Sequence, residues 1–264
     1  MDLEKKRKLV EEMIGEDGPV LISYSGGVDS SLLAVLASRI SPGRVRCILL
    51  DSPVVPRRAI AEAQKIAKDH CFSCEIVPFP VLENGEFRKN SPDRCYFCKK
   101  ASARVLKDQA SVTGAVIVDG VNTSDLGQHR PGIRASGEEG ICHPFIRAGI
   151  SKDEIRGIAR ECGLSFWDKP SAACLSSRIP YGEEITEEKL RRVEEAEDFL
   201  AGLGFPQVRV RSHGDIARIE VDQQEMAHLF DRREEIATRL KEIGFTYVTM
   251  DLGGFRSGSM DEVL

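Results

Sequence analysis

The sequence predicts an α/β fold, a parallel sheet with flanking helices, followed by a small C-terminal α+β domain. Three observations lead there. Short apolar runs alternate with helix-period segments through the first two thirds of the chain. A glycine-bearing turn, SGGVDS, joins the first of these runs to a strongly apolar helix. Beyond residue 184 the pattern changes to a long charged helix followed by alternating strands. Strands separated by helices of this length make a parallel sheet covered by its own crossover connections.

Each element has its own signal. Pro19–Tyr24 is an apolar strand, and Ser30–Ile40 places Leu32, Leu33, Leu36 and Ile40 on one helical side. Val45–Leu50 reads as a buried strand, Arg57–Lys68 as a helix and Cys74–Pro78 as a strand. Lys99–Thr113 is helical, and Ala115–Asp119 is a further apolar strand. Lys152–Cys162 opens on a Ser151/Glu154 capping box and stops at Gly163. Lys169–Glu184, rich in Ser, Pro and Gly, separates the units. Glu187–Leu203 is then a long helix, and Gln207–Arg211 and Ile216–Val221 are strands joined by a turn at Ser212–Asp215. Helical segments fill Gln223–Ile243 before a last strand at Thr246–Met250. The expected domains are therefore 1–184 and 185–264, with no internal repeat.

Composition narrows the class. The chain has 264 residues, eight cysteines and a net charge of −5. Gly and Pro are too few for a collagenous or low-complexity chain, and no apolar stretch approaches the ~18 residues of a membrane span. The charged, amphipathic N-terminus does not resemble a signal peptide, so a cytoplasmic location with reduced thiols is expected. Residues 185–264 carry a net charge of −6 and residues 1–184 a net +1. Neither is the basic field that nucleic-acid binding usually needs.

The strongest local signal is the strand-to-helix turn formed by Ser25, Gly26, Gly27, Val28, Asp29 and Ser30. Glycines let a backbone approach a ligand closely, and a helix start offers N–H groups and positive partial charge to a phosphate. Ser25 and Ser30 add hydroxyl donors. A carboxylate beside phosphates needs a reason, and for Asp29 the reasons are helix capping or Mg²⁺. The motif lacks the GK[ST] ending of a Walker A loop. Other strand ends fall on the same sheet edge, where open α/β folds place ligands. These are Asp51-Ser52 and the segment from Asp119 and Gly120 to Asp125. Asp119 and Asp125 suit Mg²⁺ or ribose, though turns are rich in such residues for structural reasons. Arg130 and Arg134 continue this loop and suit either an anion or solvent.

The cysteines divide by setting. Cys47, Cys71 and Cys162 read as packing residues, Cys74 as ambiguous because a second CxxC (Cys71, Cys74) runs into a strand, and Cys142 as ambiguous beside His143. Cys95 and Cys98 form a CxxC, and Cys174 lies in a segment of small polar residues with Lys169 and Arg178 nearby in sequence. Three thiols suit three irons of a [4Fe-4S] cluster with the fourth iron open, three ligands of zinc, or a redox pair plus a nucleophile.

SGGVDS resembles the PP-loop of ATP pyrophosphatases. Taken in order, SGGVDSS, NSPDRCYFCKK, DGVNTSD with RPG, WDKPSAACLSSRIPYG and VRVRSHGDIARIEV resemble the LarE-type ATP-dependent sulfur transferases over nearly the whole chain. That resemblance implies a PP-loop fold binding ATP and Mg²⁺. It implies carboxylate adenylation of pyridinium-3,5-biscarboxylic acid mononucleotide, then replacement of oxygen by sulfur, on the way to the nickel-pincer nucleotide. One subgroup of the family sacrifices a single cysteine. The other has three cysteines and uses a [4Fe-4S] cluster, and cysteines at 95, 98 and 174 place this chain with the second. The resemblance further implies ATP contacts by Ser25, Gly26, Gly27, Asp29, Ser30, Asp51, Asp119 and Gly120. Substrate contacts fall to Arg209, Arg211 and Glu220, and self-association to a homo-oligomer is implied as well. Arg209 and Arg211 alternate on one strand and so share a side, an arrangement that also suits a cross-strand ion pair. Lys99 and Lys169 are candidates to stabilise developing negative charge.

Rival readings are a tRNA thiolase, an amide-forming synthetase of the same superfamily, and a noncatalytic nucleotide- or zinc-binding protein. The acidic C-terminal region counts against the first, and the three cysteines have no role in the second. The sulfur donor is not readable from the residues.

Overall fold

The first apolar run, Val20–Tyr24, forms a strand that pairs in parallel on both sides, and the rest of the first unit is built around it. The computed structural model describes residues 2–16, 18–127, 131–170, 173–256 and 258–262. In chain order the elements begin α1 (Leu3–Glu16), β1 (Val20–Tyr24), α2 (Val28–Ile40), β2 (Val45–Asp51), α3 (Arg57–Asp69) and β3 (Cys74–Pro78). Next come α4 (Gly85–Arg88), α5 (Arg94–Ser111), β4 (Val116–Asp119), α6 (Pro131–Glu138), α7 (Pro144–Arg147) and α8 (Lys152–Glu161). The chain ends with α9 (Glu187–Gly202), β5 (Val208–His213), β6 (Ile216–Val221), α10 (Met226–Asp231), α11 (Arg233–Ile243) and β7 (Tyr247–Met250).

Two compact units result. The first comprises Met1–Asn84 with Cys95–Ala172, the second Gly85–Arg94 with Ala173–Leu264. The division thus falls earlier than residue 184, and the segment around α4 joins the second unit. Its ties explain why: Asn90 Nδ2 donates to the carbonyls of Ile179 and Pro180, and the Gly182 and Ile185 N–H groups donate to the carbonyls of Asn90 and Arg88.

The first unit holds a parallel sheet in the order β3-β2-β1-β4. Alternate residues of β1 feed opposite cores. Val20, Ile22 and Tyr24 pack with Val10, Leu32, Leu33 and Ile158, so α1, α2 and α8 cover one face. Leu21 packs with Ile48, Leu106 and Ile117, which places α5 on the other. β2 and β4 lie on opposite sides of β1, so β1 and β4 flank the topological switch point, where ligands bind in such sheets. In the second unit β5 and β6 pair antiparallel, β6 and β7 parallel, over a core including Leu200, Phe205, Val210, Ile219 and Leu240. No helix among the described residues is long and apolar enough to cross a membrane.

Candidate active site

The switch point is occupied by the SGGVDS turn. Gly26 has φ +72°, and a Cβ there would lie 2.5 Å from Ala63 Cβ of α3, so both conformation and space demand glycine. Gly27 is the N-cap of α2 and brings no side-chain acceptor to the first-turn N–H groups. Ser30 Oγ accepts from Ser25 N–H at 3.2 Å and lies 3.0 Å from Ser25 Oγ, which ties the two ends of the turn together. This is the form of an anion cradle: a glycine turn leading to an uncapped helix start.

β4 ends beside this turn. A Cβ on Gly120 would sit 2.8 Å from Ser30 N, which excludes a side chain and seats the strand end against the cradle. Asp119 is almost wholly buried. Its Oδ2 accepts from Lys99 Nζ at 3.0 Å, and its Oδ1 lies 2.7 Å from His143 Nδ1. Burial alone would raise its pKa; the adjoining Lys99 and His143 outweigh that and hold it below the ordinary carboxylate value. Asp119 is thus an internal anion that fixes a lysine and a histidine at the site's edge. Asp51, at the end of β2, pairs with Arg57.

Asp29 is the half-buried acid of the cradle itself. Its pKa is raised, first by burial, against the pull of Lys152. Lys152 Nζ lies 2.6 Å from Oδ1. Lys169 Nζ donates to the Gly26 carbonyl at 3.0 Å and pairs with Glu62 at the same distance. The structure therefore brings Ser25, Gly26, Gly27, Asp29, Ser30, Asp119, Gly120, Lys99 and Lys169 to one sheet edge. Lys152 and His143 belong to it as well, and neither stands out in the sequence. Lys152 follows the N-cap Ser151 directly, inside the capping box, which places the helix start but not what its first side chain meets. Arg134 is exposed and stacks 4.6 Å over the Tyr96 ring. Arg130 lies outside the described residues.

The cysteines resolve further. The helix α5 starts at Arg94, five residues earlier than expected, so Cys95 and Cys98 sit in its first turns, one exposed and one half-buried. Three residues apart on a helix, they share a face, which suits a pair of thiolate ligands. Cys47 and Cys74 are opposite residues of β2 and β3. Burial pushes the Cys74 thiol up to about 11 and raises that of Cys47, and Cys74 packs against the core that contains Cys47. Cys71 is exposed at φ +57°, not the packing residue expected, because it turns the chain between α3 and β3. Within either unit, among the described residues, no three His, Cys, Asp or Glu side chains stand together as a metal site.

In the second unit Cys174 is the half-buried N-cap of a 3₁₀ turn, Leu175–Arg178, with Sγ 2.8 Å from Ser176 Oγ. Arg178, 2 % exposed, donates to the carbonyls of Ala173 and Cys174 and to both carboxylate oxygens of Glu197. Arg211 donates to the Ser177 carbonyl at 3.1 Å and to Glu220 at 2.7 Å. Glu220, fully buried, also accepts from Arg218 and Ser259. The cross-strand pair is thus a buried network that anchors the Cys174 turn, not an ion pair on a solvated sheet face. Arg209 is half-buried, directly opposite Glu220, with its guanidinium 5.4 Å over Phe255.

A parallel sheet with an SGGxDS cradle at its switch point defines a PP-loop ATP pyrophosphatase. No family model matches the chain. It is 40 % identical over 99 % of its length to an uncharacterized protein of Synechocystis sp. spanning 99 % of that protein. It is 34 % identical over 93 % of its length to the pyridinium-3,5-bisthiocarboxylic acid mononucleotide synthase of Lactiplantibacillus plantarum, spanning 90 % of that protein. The chain belongs to this family, the LarE-type ATP-dependent sulfur transferases. A more distant likeness, 28 % over 66 % of the chain and 60 % of the relative, is to a glutamine-hydrolyzing GMP synthase component of Thermoplasma acidophilum, in keeping with the PP-loop class.

Proposed function

We propose that the chain inserts sulfur into pyridinium-3,5-biscarboxylic acid mononucleotide for nickel-pincer nucleotide synthesis. The observation that carries this is the near full-length identity to the bisthiocarboxylic acid mononucleotide synthase, joined to an intact SGGVDS cradle. In the first half-reaction a substrate carboxylate oxygen attacks the α-phosphorus of ATP. Pyrophosphate leaves, and an acyl-adenylate remains. The glycine turn and α2 start receive phosphate oxygens, the Asp29 carboxylate suits Mg²⁺, and Lys99, fixed by Asp119, adds positive charge at the edge of the cradle. In the second half-reaction a sulfur nucleophile attacks the activated carbonyl and AMP leaves. Arg209, half-buried over Phe255, is assigned to the substrate nucleotide, since a guanidinium suits phosphate and carboxylate oxygens. Arg211 and Glu220, buried and paired with each other, serve the reading by fixing the strand pair and the Cys174 turn rather than by touching the substrate.

The sulfur source in this reading is a [4Fe-4S] cluster held by Cys95, Cys98 and Cys174, assigned from their positions in the sequence. The shared helical face of Cys95 and Cys98 fits thiolate ligation. When bound, such a cluster supplies a replaceable sulfide at an iron without a protein ligand, whereas a sacrificed side chain allows one turnover. The test has two parts. Pyrophosphate release from ATP should depend on the pyridinium substrate, with the thiocarboxylate product identified by mass; substrate-independent or absent release overturns the activity. Anaerobic reconstitution should load iron and sulfide in wild type but not in Cys95→Ala. A protein that takes up neither, or a Cys95→Ala variant with intact sulfur transfer, overturns the cluster.

A further inference from the structure

Three ammonium groups stand at the nucleotide cradle, and each already has an oxygen partner: Lys99 on Asp119, Lys169 on Glu62 and the Gly26 carbonyl, and Lys152 on Asp29. The third pair is unlike the others because its acid lies within the phosphate turn. A negative charge in the first turn of α2 is favourable for the bare helix. Beside a bound polyphosphate the same charge repels, unless a cation lies between. In the structure that cation is a side chain. Lys152 Nζ lies 2.6 Å from Asp29 Oδ1, and Asn122 Nδ2 stands 3.5 Å from Oδ2. Lys152 is held in place from two sides. It is the first residue of α8, whose Ser151/Glu154 capping box is fully formed, and its N–H donates to Ser124 Oγ at 3.1 Å. Asp125 and Arg156 are the other charged groups acting on Asp29.

We propose that Lys152 is the resident counter-cation of Asp29, holding in the nucleotide-free protein the place that a divalent cation takes when ATP is bound. Ammonium and metal compete for one carboxylate oxygen, because Mg²⁺ needs its ligands in a tight octahedral shell that leaves no room for an ammonium on the same lone pair. Loading is then an exchange: the metal arrives with the polyphosphate, and Lys152 passes from Asp29 to the phosphate oxygens. Free metal without nucleotide gains little, since it must displace a fixed ammonium and leave it unpaired. This rests on the reading of Asp29 as the metal-facing acid of the ATP site.

Binding of Mn²⁺ tests both layers, with unbound Mn²⁺ read by its EPR signal. Wild type, Lys152→Met, Lys152→Gln, Lys152→Arg and Asp29→Asn are titrated without nucleotide and with α,β-methylene-ATP. Without nucleotide the two neutral variants should bind Mn²⁺ about tenfold more tightly than wild type. Lys152→Arg should stay at the wild-type level, and adding Asp29→Asn to Lys152→Met should abolish the gain. A mere loss of structure would not tighten metal binding. If Asp29→Asn weakens nucleotide-dependent Mn²⁺ binding but neither neutral variant gains affinity, the exchange is wrong and the Asp29 reading stands. If Asp29→Asn leaves nucleotide-dependent binding unchanged, the Asp29 reading fails and takes the exchange with it.

Discussion

Replacing Arg178 by Met should remove the main brace of the Cys174 turn. Arg178 Nε and Nη2 donate to the two Glu197 oxygens at 2.9 and 3.0 Å, and Nη1 donates to the Ala173 and Cys174 carbonyls and Ser177 Oγ at 2.9–3.1 Å. Arg178 and Glu197 are 2 % and 1 % exposed, so solvent screens the pair little. Glu197 also accepts the Val210 N–H at 3.0 Å, which carries the effect into β5. Losing one partner of such a pair costs about 3–5 kcal/mol, chiefly because the other charge stays buried without its counter-ion. With a urea m-value of about 2 kcal/mol/M, the unfolding midpoint of the second unit should fall by about 2 M. Urea titration followed by far-UV circular dichroism reads the shift, and iodoacetamide modification of Cys174 should quicken in parallel. The double variant Arg178→Met/Glu197→Leu should recover most of the loss, since an apolar pair of similar volume replaces two buried charges. A single-variant cost below about 1 kcal/mol, or a double variant no more stable than the single one, would refute the reasoning.

Three further outcomes follow from the same geometry. Gly26→Ala should lower ATP affinity at least about tenfold by calorimetry, because its Cβ would lie 2.5 Å from Ala63 Cβ at a φ of +72°. Asp119 has a depressed pKa in the folded protein, so its contribution to stability is present above the unfolded carboxylate value of about 4 and is lost as pH falls through the folded one. The stability gap between wild type and Asp119→Asn, measured by thermal unfolding, should therefore close in acid. His213 is held below its ordinary value, first by burial and then by Arg218, so the unfolded chain takes up a proton that the folded chain refuses. Wild type should lose stability as pH drops below about 6.5, and His213→Gln should flatten that slope in melts between about pH 5 and 7.

Much of the fold was legible because its signals are local. The apolar runs that became β1, β2 and β4 each end in a turn rich in Gly, Ser or Asp, and the Ser151/Glu154 box sits where α8 begins. The cradle was legible for the same reason: all six of its positions are contiguous. What the sequence concealed depends on distance along the chain. Lys152 meets Asp29 across 123 residues and Lys169 meets Gly26 across 143, pairs that no spacing rule links. The early start of α5 was obscured by Pro92 and Asp93, which read as loop but lie just before the first helical turn. Arg211 and Glu220 were visible as a cross-strand pair, yet alternation along a strand cannot tell a solvated face from one covered by Ser177 and Ser259.

The excursion of Gly85–Arg94 into the second unit has a consequence for how the chain is made. The Asn90 side-chain amide finds its carbonyl partners in Ile179 and Pro180, about ninety residues later. During synthesis, α4 leaves the ribosome before α5 and β4 exist, yet its partners emerge after the whole first sheet is complete. Vectorial folding therefore cannot finish one unit and then begin the next, and the ten-residue segment must wait, tethered at both ends, while the sheet closes around its neighbours in sequence. A fragment cut at residue 172 would carry α4 without the 179–185 backbone that holds Arg88 and its neighbour Asn90, and its complement would lack a segment of its own unit. The two units are distinct compact bodies, yet no single cleavage of the gene divides them.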